Sequence, residues 1–248
     1  MYYDGLAKYY KLIYADWDKS VHRQAVQLDS IIQEYIGKTA NTVLDAACGI
    51  GTQSIGLAKL GYAVTASDLS SVEVEHARQE AIKSDVQIEF QTLDMRQVWE
   101  FFHKQFDVVM ACDNSVPHLL NNDEILCAFQ QFYKCTKPNG ACIITLRDYS
   151  KMQHNEKTSQ MYPRQIHQTD RGRVILFDVW DFDRDYYDMA TYIVEDNGEE
   201  SVQVTILRGG KYYCVEIPVI EGLLKKAGFS DVKLLLERYF QPTLLARK

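Results

Sequence analysis

The stretch Asn41-Thr-Val-Leu-Asp-Ala-Ala-Cys-Gly-Ile-Gly-Thr52 decides the fold of this chain. Its apolar start predicts a short strand, and the apolar spacing over residues 53–60 predicts a helix. Between the two lies a turn that contains Gly49 and Gly51, which lack Cβ atoms and so let ligand atoms approach the backbone. A strand, a glycine turn and a helix form the first unit of an α/β sheet that binds a nucleotide.

Acidic residues follow three successive predicted strands. Asp45 follows the first strand, Asp68 follows a strand at residues 62–67, and Asp94 follows a strand at residues 86–92. Ligands of open α/β sheets bind outside the carboxyl ends of the strands, so we expect these side chains to share one site. There Asp68 can accept both hydroxyls of a ribose and Asp94 can meet an adenine amine. Alternatively, Asp68 only caps a helix and Asp94 only caps a turn.

The glycine turn departs from the dinucleotide-binding pattern. Gly-x-Gly-x-x-Gly would require a third glycine where the chain has Ser54. Asp45 would repel a pyrophosphate and attract a cationic amino group. An acid before a Gly-x-Gly turn, with further acids after the second and third strands, resembles the class I S-adenosylmethionine-dependent methyltransferases.

This resemblance implies an α/β fold with a Rossmann-like seven-stranded methyltransferase sheet, mostly parallel with an antiparallel last strand. It implies S-adenosyl-L-methionine as the cofactor and S-adenosyl-L-homocysteine as its product. The residues expected to contact the cofactor here are Asp45, Ala46, Gly49, Gly51, Asp68, Leu69, Asp94, Met95 and Cys112.

The order of predicted strands and helices along the chain indicates four segments. Residues 1–40 form an N-terminal lid and helix, and residues 41–150 form the cofactor-binding core. Residues 151–215 form an antiparallel insert after the fifth strand, and residues 216–248 complete the core sheet. Within the insert, residues 151–173 look irregular, and strand-like runs follow at 174–182, 186–194, 201–207 and 211–215. The pairs Asn197-Gly198 and Gly209-Gly210 are hairpin signals between these runs.

Two capping patterns mark helix starts. Ser70-x-x-Glu73 predicts a capping box for a helix that runs to about residue 83. Asn121-x-x-Glu124 predicts the start of a helix that ends at the turn of residues 137–140.

The N-terminal segment is rich in aromatic residues. Tyr10 and Trp17 are candidates to fold over the site, because aromatic faces suit a sulfonium or a methylated ammonium. Arg23, on a predicted helix, could reach the methionyl carboxylate of the cofactor. The alternatives are that the aromatic cluster only packs and that Arg23 is solvated.

Two later motifs concern the methyl acceptor. Asp113-Asn-Ser-Val-Pro-His118 and Arg147-Asp-Tyr149 look like the glycine and sarcosine N-methyltransferase branch. That resemblance implies that Arg147 binds an amino-acid carboxylate and that Asn114 and His118 serve the acceptor. His118 is a candidate to handle the proton of an amine.

The chain departs from that branch at two positions. Ile50 replaces the usual Thr, and Asp113 replaces the usual Gly, which favours a cationic acceptor. The alternatives are structural. Arg147 could pair with Asp148 or Glu124 in a surface salt bridge, His118 could be a satisfied loop histidine, and Asn114 could bond its own turn.

Composition limits the class of protein. The chain has 248 residues, a net charge of −7 and no Lys/Arg run longer than residues 225–226, which argues against nucleic acid as a partner. No apolar stretch approaches the ~18 residues of a membrane span, and no secretory signal is evident. The six cysteines form no Cys-x-x-Cys pair, so we expect no metal and a cytoplasmic protein with reduced thiols.

Together these features predict an S-adenosylmethionine-dependent methyltransferase of small molecules, EC class 2.1.1, that acts on an amino-acid-like amine. The alternatives are O- or carboxyl-methylation of another metabolite, a cofactor-binding sensor without turnover, and a nicotinamide oxidoreductase. The acceptor and the oligomeric state stay open.

Overall fold

The computed structural model describes residues 2–152, 156–198 and 202–248. Part of the segment predicted to be irregular and the first residue of the strand predicted at 201–207 lie outside these ranges. The helices described are α1 (Tyr2–Leu6), α2 (Trp17–Tyr35), α3 (Thr52–Lys59), α4 (Ser71–Lys83), α5 (Val98–Phe102), α6 (Asn122–Cys135) and α7 (Ile217–Ala227). The strands are β1 (Thr42–Asp45), β2 (Ala63–Asp68), β3 (Glu89–Thr92), β4 (Phe106–Ala111), β5 (Thr136–Thr145), β6 (Thr158–Thr169), β7 (Gly172–Asp183), β8 (Tyr186–Asp196), β9 (Gln203–Tyr213), β10 (Ser230–Leu235) and β11 (Thr243–Arg247).

Seven of these strands form one sheet in the order β10-β11-β5-β4-β1-β2-β3. Only β11 runs antiparallel to its neighbours β5 and β10. One apolar core packs Leu28, Ile55 and Val74 of α2, α3 and α4 against the sheet. A second core contains Phe129 and Leu224 of α6 and α7. The predicted Rossmann-like methyltransferase sheet is confirmed.

The strand order reverses between β1 and β4. From β1 the chain continues to β2 and β3 on one side, and then crosses to β4 and β5 on the other. Side chains that leave the carboxyl ends of β1 and β4 therefore border a crevice that no crossover helix fills, which is where such sheets bind ligands.

A second, antiparallel sheet has the order β6-β7-β8-β9. The sequence prediction missed β6, because its apolar residues alternate poorly and Pro163 disfavours a strand. The structure accommodates Pro163 because β6 is an edge strand that pairs only with β7.

The hairpin predicted at Gly209-Gly210 is wrong, since β9 runs through both residues. Met189 pairs with Gly210 and Ala190 pairs with Arg208, so Gly209 is the extra residue of a bulge. Its φ of +102° suits a glycine, which is why a turn signal occurs inside a strand.

The two capping patterns differ in outcome. The Asn121 side chain accepts a hydrogen bond from the backbone N–H of Glu124, as predicted. The Ser70 hydroxyl accepts one from the N–H of Glu73. A capping box also requires the Glu73 carboxyl to accept the backbone N–H of Ser70. That N–H donates to Asp68 instead, so this part of the prediction is wrong.

Candidate active site

A cavity of about 770 Å³ opens at the carboxyl ends of the core strands. The turn after β1 and the residues that follow β2, β3 and β4 form its floor. Tyr3 and Tyr10 of the N-terminal segment and the bulged part of β9 line it from the other side. The cavity therefore lies between the core sheet, the N-terminal segment and the second sheet.

The glycine turn and Asp68 form one bonded unit. The N–H of Gly49 donates to Oδ2 of Asp68 at 2.9 Å, and the N–H of Ser70 donates to Oδ1 at 3.0 Å. Burial raises the pKa of Asp68, whereas these hydrogen bonds lower it. Each carboxyl oxygen accepts one bond from the backbone and keeps capacity for a second donor from the cavity.

The absence of a side chain at Gly49 leaves a narrow gap above the turn. Its φ is +51°, and a Cβ atom there would lie 3.7 Å from Oε2 of Glu73 and 3.9 Å from the hydroxyl of Tyr10. A side chain at this position would narrow the gap between the turn, α4 and the N-terminal segment. This cradle suits a ligand that passes close to the backbone.

Asp94 lines the cavity and also caps the turn that follows it. It accepts the backbone N–H of Arg96 at 2.8 Å and pairs with the Arg96 guanidinium at 2.6 Å. Burial raises the pKa of Asp94, but the bonds from Arg96 outweigh that effect and lower it. Asp94 is therefore held ionised at the end of β3.

Asp45 does not line the cavity. It is 1% exposed, and its Oδ2 accepts the hydroxyl of Ser54 at 2.6 Å. Burial raises the pKa of Asp45 to about 7. Gly51 also lies off the cavity wall. It is the N-cap residue of α3 and has a φ of +87°.

The other cofactor candidates divide into two groups. The predicted residues Tyr10, Ala46, Leu69, Met95 and Cys112 line the cavity together with Gly49, Asp68 and Asp94. Trp17 is buried and donates its indole N–H to Thr52 at 3.0 Å, whereas Arg23 is exposed with its guanidinium 3.5 Å from the Ser20 hydroxyl. The structure does not bring Trp17 or Arg23 to the cavity wall.

His118 lines the cavity and belongs to a chain of hydrogen bonds. Its Nδ1 is 3.0 Å from the carbonyl oxygen of Lys211, which can only accept, so Nδ1 carries the proton. Its Nε2 therefore accepts the hydroxyl of Tyr3 at 2.7 Å, and Tyr3 in turn accepts from Tyr212 at 2.6 Å. Burial lowers the pKa of His118 to about 4, so the ring is neutral.

Asp113 and Asn114 follow β4 with φ values of +56° and +64°. Asn114 is buried, accepts the backbone N–H of Arg147 at 3.0 Å and donates to the Tyr149 hydroxyl at 2.9 Å. Asn114 thus joins the loops after β4 and β5 rather than its own turn. The Asp113 carboxyl lines the cavity and accepts from the Gln241 amide at 3.2 Å.

Arg147 lies among aromatic rings. Its guanidinium carbon is 4.8 Å from the ring centre of Trp180, and its Nη1 donates to the Tyr187 hydroxyl at 3.0 Å. The predicted alternative of a surface salt bridge is wrong, because Glu124 pairs with Arg96 and Asp148 pairs with Lys151. Arg147 lies outside the cavity lining, beneath the second sheet.

Tyr3 and Glu73 are among the cavity residues that the sequence analysis missed. Tyr3 belongs to the aromatic N-terminal segment, but nothing local indicates that it reaches His118. Glu73 looked like half of a capping box, although the structure turns it toward the cavity. Within the described ranges, no cluster of His, Cys, Asp and Glu could hold a metal ion, and no helix could cross a membrane.

The reversed β11, the glycine turn and the acids after β2 and β3 define a Rossmann-like domain of the type that binds S-adenosylmethionine. Residues 43–140 match the family described as a methyltransferase domain. This match and the seven-stranded sheet support the class I S-adenosylmethionine-dependent methyltransferases as the family of this domain.

Relatives of different acceptor chemistry are similar to this chain. A glycine/sarcosine N-methyltransferase of Halorhodospira halochloris is 29% identical over 65% of this chain and 59% of its own length. A ubiquinone biosynthesis O-methyltransferase of Pasteurella multocida is 31% identical over 54% of this chain and 60% of its own length. The chain thus spans about three fifths of the length of each of these two relatives.

Solved structures match nearly all of this chain. The sugar N-methyltransferase KedS8 of Streptoalloteichus superposes with a TM-score of 0.78 over 96% of this chain and 92% of its own. Because the two sequences are only 14% identical, this superposition shows a shared fold and nothing more.

Proposed function

We propose that this protein transfers a methyl group from S-adenosylmethionine to a small molecule, with an amine nitrogen as the acceptor atom. The observation that carries the proposal is the continuity of one cavity. It joins Gly49 and Asp68 at one end to Asp113 and His118 at the other. A cofactor held at the first end would present its reactive group toward an acceptor at the second.

The cofactor end of the cavity has the polarity of an adenosine site. Asp68 would accept the ribose hydroxyls through the capacity that Gly49 and Ser70 leave free, and Asp94 would meet the adenine amine. Leu69, Met95 and Cys112 supply apolar wall for the base and the sulfur. Asp45 and Gly51 lie behind the cavity wall and would stabilise the conformation of the glycine turn.

The bound cofactor supplies a methyl group on a sulfonium, which already contains its leaving group. The chain's own residues then mainly provide alignment, which can contribute roughly 7–11 kcal/mol to such a transfer. Tyr3 and Tyr10 line the cavity from the N-terminal segment, so they limit the access of water to the reacting atoms.

The acceptor end favours an amine. The Asp113 carboxyl would attract an ammonium-bearing acceptor, which must lose a proton before its lone pair can attack. Neutral His118 would receive that proton at Nε2, with the Tyr3 hydroxyl as the link. The glycine/sarcosine N-methyltransferase relative is consistent with this chemistry.

Arg147 is the candidate for an acceptor carboxylate, which would have to pass the cavity wall to reach it, because Arg147 is not part of the lining. It is a cation held by aromatic faces and the Tyr187 hydroxyl, without a carboxylate partner in the parts of the chain described. A guanidinium in this state can bind a carboxylate through two parallel hydrogen bonds. Because Asn114 bonds the Arg147 backbone, the two residues would position the acceptor jointly.

A hydroxyl acceptor is the second candidate. The neutral imidazole of His118 could deprotonate a hydroxyl as well as an ammonium, and an O-methyltransferase is among the relatives. The experiment must therefore distinguish an amine nitrogen from a hydroxyl oxygen as the acceptor atom.

The test combines binding with transfer of a labelled methyl group. Calorimetry first measures the affinity for S-adenosylmethionine, and a labelled-cofactor assay then compares small amines, amino acids and matched hydroxy acids. Preferential label in amines supports the proposal, whereas preferential label in hydroxy acids supports O-methylation. Saturable binding without any labelled product would contradict both and favour a sensor.

A further inference from the structure

Glu73 is a buried acid on the cavity wall that the proposed mechanism does not use. It lies in the first turn of α4, is 2% exposed and lines the cavity beside Gly49 and Asp68. Its Oε1 has no hydrogen-bond partner within residues 2–152, 156–198 and 202–248. A buried, unsatisfied carboxyl oxygen carries a large free-energy cost unless a ligand supplies its partner.

The capping groups near Glu73 are already occupied. The N–H of Ser70, which would satisfy Glu73 in a capping box, donates to Asp68 at 3.0 Å. The Ser70 hydroxyl accepts the Glu73 N–H and donates to Asp4 at 2.6 Å. Helix capping therefore does not explain the carboxyl group of Glu73.

The groups that face Glu73 make its ionised form unfavourable. Burial, followed by the charges of Asp68 and Asp4, raises the pKa of Glu73 well above its usual range. Tyr10 and Cys48 also face it, and burial raises both of their pKa values, so they stay neutral. Lys11 of the same N-terminal segment is paired with Glu80 at 2.5 Å, farther along α4.

We propose that Glu73 binds a positively charged group of the cofactor and releases its proton to solvent when the cofactor arrives. The inference rests on the proposed function, because it takes S-adenosylmethionine as the ligand. In the empty site, burial and the neighbouring acids favour the protonated form of this carboxyl group. On binding, its O–H bond breaks, the proton goes to buffer, and the carboxylate pairs with the cofactor's ammonium or sulfonium.

The experiment is calorimetry of the full chain in two buffers that differ in ionisation enthalpy, so that the difference in heat counts released protons. Three ligands are compared. S-Adenosylmethionine has an ammonium and a sulfonium, S-adenosylhomocysteine has only the ammonium, and 5′-methylthioadenosine has neither. Glu73→Gln is compared with Glu75→Gln, an exposed acid on the same helix.

We expect proton release with S-adenosylmethionine and none with 5′-methylthioadenosine. Release with S-adenosylhomocysteine as well would assign the ammonium as the partner, and its absence would assign the sulfonium. Glu73→Gln should abolish the release and weaken S-adenosylmethionine binding at least tenfold, whereas Glu75→Gln should behave as wild type.

A second measurement does not depend on the folding of a variant. The wild-type affinity for S-adenosylmethionine should rise with pH, by up to about tenfold per pH unit, while Glu73 loses its proton on binding. Binding without proton release, or equal release with 5′-methylthioadenosine, would overturn the inference and leave the proposed function intact. Absence of any S-adenosylmethionine binding would instead refute the proposed function.

Discussion

The hydroxyl of Tyr3 lies 2.7 Å from Nε2 of His118, although 115 residues separate them in the chain. The same hydroxyl contacts Tyr212 of the second sheet at 2.6 Å. One N-terminal side chain thus connects the loop after β4 to β9 across the cavity. His118, Tyr3 and Tyr212 are therefore parts of one hydrogen-bonded unit.

The role of His118 predicts a selective loss of turnover. His118→Gln should lower kcat about 100-fold, because general base catalysis typically contributes that much or more, and should leave cofactor affinity within twofold. Rapid-quench and calorimetric measurements separate the two effects, with the exposed His22→Gln as the control. Equal kcat in both variants would show that His118 only packs.

The pH dependence of kcat should also reflect His118. Because burial lowers its pKa to about 4, its neutral form persists well below pH 6. We expect no acid limb in kcat at the usual imidazole pKa, and a limb only as the pH approaches 4. A limb near pH 6.5 that disappears in His118→Gln would contradict the buried, neutral ring.

Arg147→Met should raise the KM of a carboxylate-bearing acceptor by 10- to 100-fold, because a hydrogen bond to a charged group contributes about 1.5–3 kcal/mol. The affinity for S-adenosylmethionine should not change, since Arg147 is proposed to bind the acceptor and not the cofactor. Arg171→Met, at an exposed arginine between β6 and β7, is the matched control. An unchanged KM would exclude the carboxylate clamp.

Asp68→Asn should weaken binding of S-adenosylmethionine by about 2 kcal/mol, because charged hydrogen bonds to the ribose are lost. The amide keeps the size of the carboxyl group, and thermal unfolding checks that the turn around Gly49 survives. Asp85→Asn, at an exposed turn after α4, is the control. Wild-type affinity in Asp68→Asn would rule out the ribose role.

Asp45 should make the protein less stable as the pH rises from about 4 to 7. Its folded-state pKa of about 7 exceeds the ordinary value of 3.8, so the folded protein binds the proton more tightly. The contribution is fully present below pH 3.8 and is lost toward pH 7, with a slope of up to about 1.4 kcal/mol per pH unit.

The measurement is the free energy of unfolding of wild type and Asp45→Asn across this range. Asn retains an acceptor for the Ser54 hydroxyl, and Asp68 and Glu73 titrate in both proteins. The difference between the two curves therefore isolates Asp45. A pH-independent difference would show that Asp45 is ionised in the folded protein throughout.

The sequence by itself determined the core sheet and the position of Gly49, Asp68 and Asp94 at one edge of that sheet. The periods of strands and helices and the absence of a Cβ atom at Gly49 are properties of short stretches of sequence. The parallel topology then places the residues after β2 and β3 at one edge of the sheet. For this reason Asp68 and Asp94 could be assigned to a common site before any contact was known.

Only the tertiary structure decided the acceptor end. Tyr3 meets His118, and Arg147 lies against Trp180, because the second sheet and the N-terminal segment pack over the core. Glu73 also faces the cavity only in the folded structure, because the Ser70 N–H that would cap it donates to Asp68 at the end of β2. Competition between two acids for one N–H leaves no periodic signal in the sequence, so the folded structure determines which of the two side chains faces the cavity without a partner.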